Sequence, residues 1–96
     1  MQQVQAQGMA WFFEDDYEAF RSVLPDRRWH RTFAEWEAAA EQGIKRAQDQ
    51  GILAIKAKVR STDFVAWCRS TGRNVDTQAL TTWAAEAARR ELVGGQ

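Results

Sequence analysis

The first chemistry to consider is a thiol paired with an imidazole, because the chain has one cysteine, Cys68, and one histidine, His30. Such a pair can carry out nucleophilic catalysis when the two groups lie within hydrogen-bond reach. His30 falls in a basic linker, whereas Cys68 falls on the apolar face of a predicted helix, where cysteine packs as a small hydrophobic group. One cysteine and one histidine also cannot supply the four ligands of a structural zinc site. We therefore expect no enzymatic activity, no metal and no cofactor.

Two charged clusters could bind ions or nucleic acid. Residues 14–18 are acidic enough to attract a hard cation, but they lack the spaced oxygen ligands and central glycine of a calcium loop. Carboxylates at the start of a helix explain them better. Residues 27–31 combine three arginines with Trp29 and His30, a mixture that can hold single-stranded nucleic acid. A solvated loop balanced by nearby acidic residues is the favoured interpretation of this second cluster.

Five tryptophans in 96 residues is a high number, and their positions divide them into two groups. Trp36, Trp67 and Trp83 fall on apolar faces of predicted helices, so we expect them in the core. Trp11 and Trp29 lie in less regular segments and are the candidates for an interaction surface, where tryptophan is enriched.

The charge is zero overall but uneven along the chain. Residues 1–51 carry a net charge of −3, residues 52–75 carry +4, and residues 76–96 carry −1. A pI of about 6.6 is low for a strong nucleic-acid binder, so only a local basic patch could contact a phosphate backbone. The chain has neither an apolar run of roughly 18 residues nor the features of a signal peptide. We expect a cytoplasmic protein that does not bind membranes.

A strand is predicted at residues 52–59, because apolar and polar residues alternate there. One face carries Leu53, Ile55, Ala57 and Val59, and the other carries Ala54, Lys56 and Lys58. A single strand needs a partner for its backbone N–H and C=O groups. The apolar run at residues 9–13 could be a short strand that pairs with it, or the strand could pair with its own copy in a second chain, which is the favoured partner.

Four helices complete the prediction. The first runs from about Asp15 to Leu24 and is stopped by Pro25. The second starts at Thr32, which forms a capping box with Glu35, and ends at Gly51.

The third helix follows Ser61, a predicted N-cap, and closes at Gly72. The fourth is capped by Asp76. The sequence thus predicts an α+β, mostly helical fold with four helices, one central strand at residues 52–59 and a short N-terminal strand at residues 9–13. Residues 1–8 are expected to form a disordered tail. Residues 9–93 are expected to form one small domain, with a helical half at 9–51 and a strand–helix–helix half at 52–93.

The second of these halves resembles a ribbon-helix-helix module, the fold of Arc-type repressors and of several bacterial antitoxins. The resemblance is carried by the alternating strand ending at Lys58 and Val59, the short helix that closes at Gly72, and the turn after it. In that family two chains pair their strands, and the outward strand residues enter the major groove of DNA. The resemblance implies that Lys56 and Lys58 contact DNA bases or phosphates, and that Arg73 contacts the phosphate backbone. No family is recognised in the first half.

Two functions follow from these observations. The favoured one is a small bacterial protein without enzymatic activity that acts as a protein-interaction or oligomerisation module, forms a homodimer, and contacts a protein partner through Trp11 or Trp29. The alternative is a dimeric DNA-binding regulator or antitoxin that uses the basic strand face.

Overall fold

The computed structural model describes residues 5–94, and in them it has an α+β, mostly helical architecture, as the sequence predicts. Two strands, a short 3₁₀ helix and four α-helices follow one another along the chain. In order these are β1 (Gln5–Trp11), the 3₁₀ helix (Glu14–Asp16), α1 (Tyr17–Val23), α2 (Phe33–Asp49), β2 (Ile52–Lys58), α3 (Ser61–Ser70) and α4 (Thr77–Gly94). Among the described residues, no helix is both long enough and apolar enough to cross a membrane.

The two strands form a parallel sheet within one chain. Gln5 pairs with Ile52 at one end, and Trp11 pairs with Lys58 at the other. Parallel strands need a long crossover connection, which here consists of α1 and α2. The sequence favours a second copy of the chain as the partner of β2, whereas the partner observed is the N-terminal segment of the same chain.

The position of β1 corrects the sequence prediction. The strand occupies Gln5–Trp11 rather than residues 9–13, so the predicted disordered tail is wrong over residues 5–8. Residues 1–4 lie outside the described part of the chain. Glutamine, alanine and glycine have weak strand propensity, which is why Gln5–Gly8 does not look like a strand in the sequence. Pairing with β2 and packing against α4 override that weak preference.

The sheet lies between two helices, with α4 on one face and α2 on the other. A Cβ built on Gly8 would collide with the carbonyl oxygen of Ala84 and would lie 2.9 Å from the Cβ of Ala88, both in α4. On the opposite face, the side chain of Met9 reaches Gly43 of α2. Successive strand residues point to opposite faces, so even-numbered β1 residues face α4 and odd-numbered ones face α2.

An aromatic cluster at the carboxyl end of β1 forms the centre of the core. Phe12 and Phe20 are essentially inaccessible to solvent, and their ring centroids lie 4.7 Å apart. The Tyr17 hydroxyl donates a hydrogen bond to the carbonyl oxygen of His30 at 2.9 Å, which ties α1 to the loop before α2. Burial raises the pKa of Tyr17 above its usual value. Cys68 is also fully buried, in the structural role that the sequence predicts for it.

The predicted helix ends are largely confirmed. The amide of Glu35 donates to the Thr32 hydroxyl at 3.1 Å, and the amide of Ala79 donates to the Asp76 carboxylate at 2.8 Å. Gly51 and Gly72 both have positive φ, 76° and 69°, the conformation for which glycine is favoured.

The start of α3 differs from the prediction, because Ser61 is itself the first helical residue and does not cap the helix. The cap comes from Asp16, 45 residues earlier in the chain. The Asp16 carboxylate accepts hydrogen bonds from the Ser61 amide at 2.6 Å and from the Ser61 hydroxyl at 2.8 Å. Asp16 follows β1 and Ser61 follows β2, so this contact joins the segments that leave the two strands.

Candidate functional site

The outer edge of β1 offers backbone hydrogen-bonding groups that the sheet does not use. The amide of Val59 donates to the carbonyl of Trp11 at 3.1 Å, which fixes the phase of the ladder. In a parallel pair, residues of one strand alternate between bonding the partner strand and pointing away from it. The N–H and C=O groups of Trp11, Met9 and Gln7 therefore face β2. Those of Ala10, Gly8 and Ala6 point outwards, and no other described strand pairs with them.

A groove of about 450 Å³ runs along this edge. Its floor is the segment from Gln7 to Ala10, and helices α2 and α4 form its two walls. The walls consist mainly of small or apolar side chains, namely Trp36, Ala39, Ala40 and Gly43 from α2 and Leu80, Thr81 and Ala84 from α4. Small residues on both walls leave room beside the outward-pointing backbone groups, so another extended chain has space next to β1.

All ionisable side chains that line the groove are basic. Arg27, Arg28 and His30 come from the loop between α1 and α2, and Arg46 comes from the last turns of α2. None of the lining residues is an aspartate or a glutamate. The groove therefore carries an excess of positive charge, although the whole chain is neutral.

Arg27 is the least exposed of these basic side chains. Its guanidinium lies 5.3 Å from the ring centroid of Phe12 and 5.1 Å from that of Trp29, within the range of cation–π attraction. Burial lowers the pKa of Arg27 from its ordinary value, although arginine remains charged. Within residues 5–94 no carboxylate forms an ion pair with it. A half-buried cation with aromatic neighbours and no acidic partner gains stabilisation from an anion that enters the groove.

The two tryptophans predicted to form an interaction surface have different environments. Trp11 is buried, with 6% of its surface exposed, and packs edge-on against Trp36 at 4.9 Å, so its placement on a surface is wrong. The Trp11 ring is buried because α2 covers the face of β1 on which it lies. Trp29 is half-buried and lines the groove, and its indole N–H donates to the carbonyl of Leu24 at 2.8 Å.

The residues predicted to contact DNA lie elsewhere. Lys56 is on β2, where its ammonium pairs with Glu41 at 2.8 Å and lies 4.4 Å from the ring centroid of Trp11. Lys58 is exposed two residues further along the same strand.

Arg73 lies in the turn before α4, 3.8 Å from a carboxylate oxygen of Glu86 and over the ring of Trp67 at 4.9 Å. Lys56 and Arg73 both contact other residues of the same chain. Lys56, Lys58 and Arg73 do not line the groove. DNA binding by these three residues stays a prediction, which a gel shift at low salt would test.

The sequence interpretation missed most of the groove. It singled out the basic cluster at residues 27–31, but not Gly8, Ala10 or Arg46. One signal was present in the sequence, since Ala6, Gly8 and Ala10 repeat small residues at the period of a strand. That pattern gives no hint that the strand edge is open.

No group of three or more histidine, cysteine, aspartate or glutamate side chains in residues 5–94 is arranged to hold a metal ion. Comparison with protein-family models, with curated proteins and with solved structures finds no match to this chain.

Proposed function

We propose that the protein is an interaction module that binds an extended segment of a partner protein along the outer edge of β1. The observation that carries this proposal is the set of outward-pointing backbone groups of Ala6, Gly8 and Ala10, two of which lie on the floor of the groove. Addition of a strand to an exposed sheet edge is a recurrent mode of peptide recognition, in which backbone hydrogen bonds supply affinity and pockets supply specificity.

The dimensions of the groove support this proposal. Its floor extends over the four residues from Gln7 to Ala10, roughly 13 Å at about 3.3 Å per residue. A bound segment of about five residues would form a third strand next to β1. A ligand that binds only the folded chain also raises its apparent stability, so a bound third strand would increase the free energy of unfolding.

The test uses proline at an outward-pointing position. In Ala10→Pro the lost N–H is one that does not bond β2, and the ring obstructs an incoming strand. Linear ten-residue peptides would be selected from a random display library on the immobilised protein and then measured by fluorescence anisotropy. We expect Ala10→Pro to weaken their binding by about tenfold or more, as expected for one or two lost hydrogen bonds and a steric obstruction.

Ala54→Pro is the matched control, because it is the same substitution at an outward-pointing position of β2. It should leave peptide binding unchanged. Circular dichroism on both variants checks that they fold. Hydrogen exchange on the unsubstituted protein gives a second readout, in which bound peptide should protect the amides of Gly8 and Ala10. Peptides that bind Ala10→Pro normally and leave these amides unprotected would contradict the proposal, as would a selection that yields no binding peptide.

A further inference from the structure

We infer that the segment bound along β1 is acidic, with carboxylates towards both of its ends. This inference rests on the proposed function, and it specifies the chemistry of the partner. It is carried by the four basic side chains that line the groove, of which Arg27, Arg28 and His30 come from the loop before α2 and Arg46 comes from the last turn of α2.

The loop side chains and Arg46 lie near opposite ends of α2, because the Arg27 guanidinium is 5.3 Å from the ring centroid of Phe12, and that ring packs at 4.8 Å on Trp36 near the start of α2. Arg46 lies ten residues after Trp36, and a helix rises about 1.5 Å per residue, so the two positions are roughly 15 Å apart. Arg27, Arg28 and His30 belong to the loop before α2 and line the same groove. An extended chain covers roughly 15 Å in about five residues. Carboxylates four to six residues apart in the bound segment could therefore meet both groups at once.

The charge pattern disfavours a second copy of this chain as the occupant. Pairing of β1 with β1 across a two-fold axis would bring the arginines of one groove towards those of the other. Like charges placed opposite each other at an interface are repulsive. None of the residues lining the groove is acidic, so no carboxylate within it offsets this repulsion.

The aromatic contacts disfavour single-stranded nucleic acid. Such ligands bind by stacking their bases on accessible aromatic rings. Trp36 is only 7% exposed, and the ring of Trp29 packs against Phe12 and Tyr17 at centroid distances of 5.2 Å and 5.5 Å. The open polar groups in the groove belong to a strand edge, which a peptide backbone complements and a nucleic acid does not.

The experiment compares three synthetic octapeptides by fluorescence anisotropy. The acidic peptide has the sequence Glu-Glu-Thr-Val-Thr-Val-Glu-Glu, with both ends blocked. Its counterparts replace all four glutamates by glutamine or by lysine. We expect the acidic peptide to bind about tenfold more tightly than the glutamine peptide, and the lysine peptide to bind most weakly. Raising the salt concentration from about 0.05 M to about 0.5 M should remove most of the difference, because exposed charges are screened.

Two double variants, each lacking two positive charges, test whether the acidic peptide binds in the groove. Arg28→Gln with Arg46→Gln removes two exposed cations from the groove, and we expect the acidic peptide to bind it about tenfold more weakly. Arg31→Gln with Lys45→Gln removes two exposed cations at neighbouring sequence positions that do not line the groove. This control should bind within about twofold of the unsubstituted protein.

The outcomes separate this inference from the proposed function. If the acidic and glutamine peptides bind equally, and Ala10→Pro abolishes both, the inference about charge is overturned and strand addition stands. If the acidic peptide binds Ala10→Pro as well as the unsubstituted protein, strand addition itself is overturned. Tighter binding of a ten-nucleotide oligothymidylate than of the acidic peptide would assign the groove to nucleic acid. Self-association that Ala10→Pro prevents would assign it to a second copy.

Discussion

The two outer edges of the sheet are chemically different. By the phase of the ladder, the backbone groups of Lys56 and Lys58 point away from β1, and both lysine side chains are exposed. Charged residues on an edge strand discourage pairing with other chains. The outer edge of β1 carries Ala6, Gly8 and Ala10 instead, with no charge on the strand and a groove beside it. The contrast indicates that one edge is protected and the other is left accessible.

The difference between the two edges changes the role expected for the lysines of β2. From the sequence, Lys56 and Lys58 are the candidates for contact with another molecule. In the structure Lys56 is held by Glu41 and Trp11, and the uncharged strand borders the groove. The positive charge relevant to the groove lies beside β1, in a loop and on a helix.

The largest expected effect concerns the close approach of α4 to β1 at Gly8, where there is no room for a side chain. Gly8→Ala places a Cβ against the carbonyl of Ala84, a backbone atom that cannot move away as a flexible side chain can. We expect a loss of about 3 kcal/mol in the free energy of unfolding, measured by urea denaturation.

Gly43→Ala is the control for this loss. Its added Cβ would meet the Met9 methyl at 3.5 Å, an ordinary contact, so this variant should be more stable by about 0.8 kcal/mol. Equal effects of the two substitutions would show that β1 does not approach α4 as closely as described.

The next largest effect concerns the contact between Asp16 and Ser61, which joins the segments that follow β1 and β2. Asp16→Ala removes both acceptors of the Ser61 amide and hydroxyl at the start of α3. The expected loss is about 2 kcal/mol in the free energy of unfolding. Asp15→Ala breaks only an exposed pair with Arg60 and should cost at most about 0.5 kcal/mol. A smaller loss for Asp16→Ala than for Asp15→Ala would contradict the assigned cap.

A third prediction removes the protection of the β2 edge. Lys58→Val replaces an exposed cation by a residue that favours strands, so we expect concentration-dependent self-association in sedimentation velocity. Lys45→Val makes the same substitution at an exposed position of α2 and should remain monodisperse to the same extent as the unsubstituted protein. Unchanged sedimentation of Lys58→Val would mean that the lysine does not protect this edge.

The smallest expected effect is that of the ion pair between Lys56 and Glu41. A double-mutant cycle with Lys56→Met and Glu41→Gln should give a coupling of about 0.5 kcal/mol in thermal unfolding, because the two side chains are 42% and 51% exposed and water screens their attraction. A coupling near zero would leave Lys56 held mainly by the ring of Trp11.

Features set by local chemistry could be predicted from the sequence. The strand at residues 52–59, the cap at Thr32, the cap at Asp76 and the positive φ of Gly51 and Gly72 all depend on residues close in sequence. The buried role of Cys68 follows from its place on an apolar helix face. These predictions are confirmed because the local preferences agree with the fold.

Features set by distant contacts could not be predicted. Strand β1 has weak intrinsic propensity, and Gly8 is required only because α4, more than 70 positions away, packs on it. The cap of α3 comes from Asp16, which the local pattern at Ser61 does not reveal. Most of the groove lies between elements that meet only after folding, so sequence reasoning identified the loop cations but not the open edge or Arg46.

The parallel register has a consequence for how the chain folds. Each β1 residue pairs with the residue 47 positions further along, as Gln5 does with Ile52. Closing so long a loop costs conformational entropy before any ladder bond forms, and such non-local contacts slow folding. During synthesis, α1 and α2 are added to the chain before β2, so β1 cannot pair with β2 until both helices have been made. Until then the backbone groups of β1 have no strand to pair with, so the sheet forms only after most of the crossover has been made.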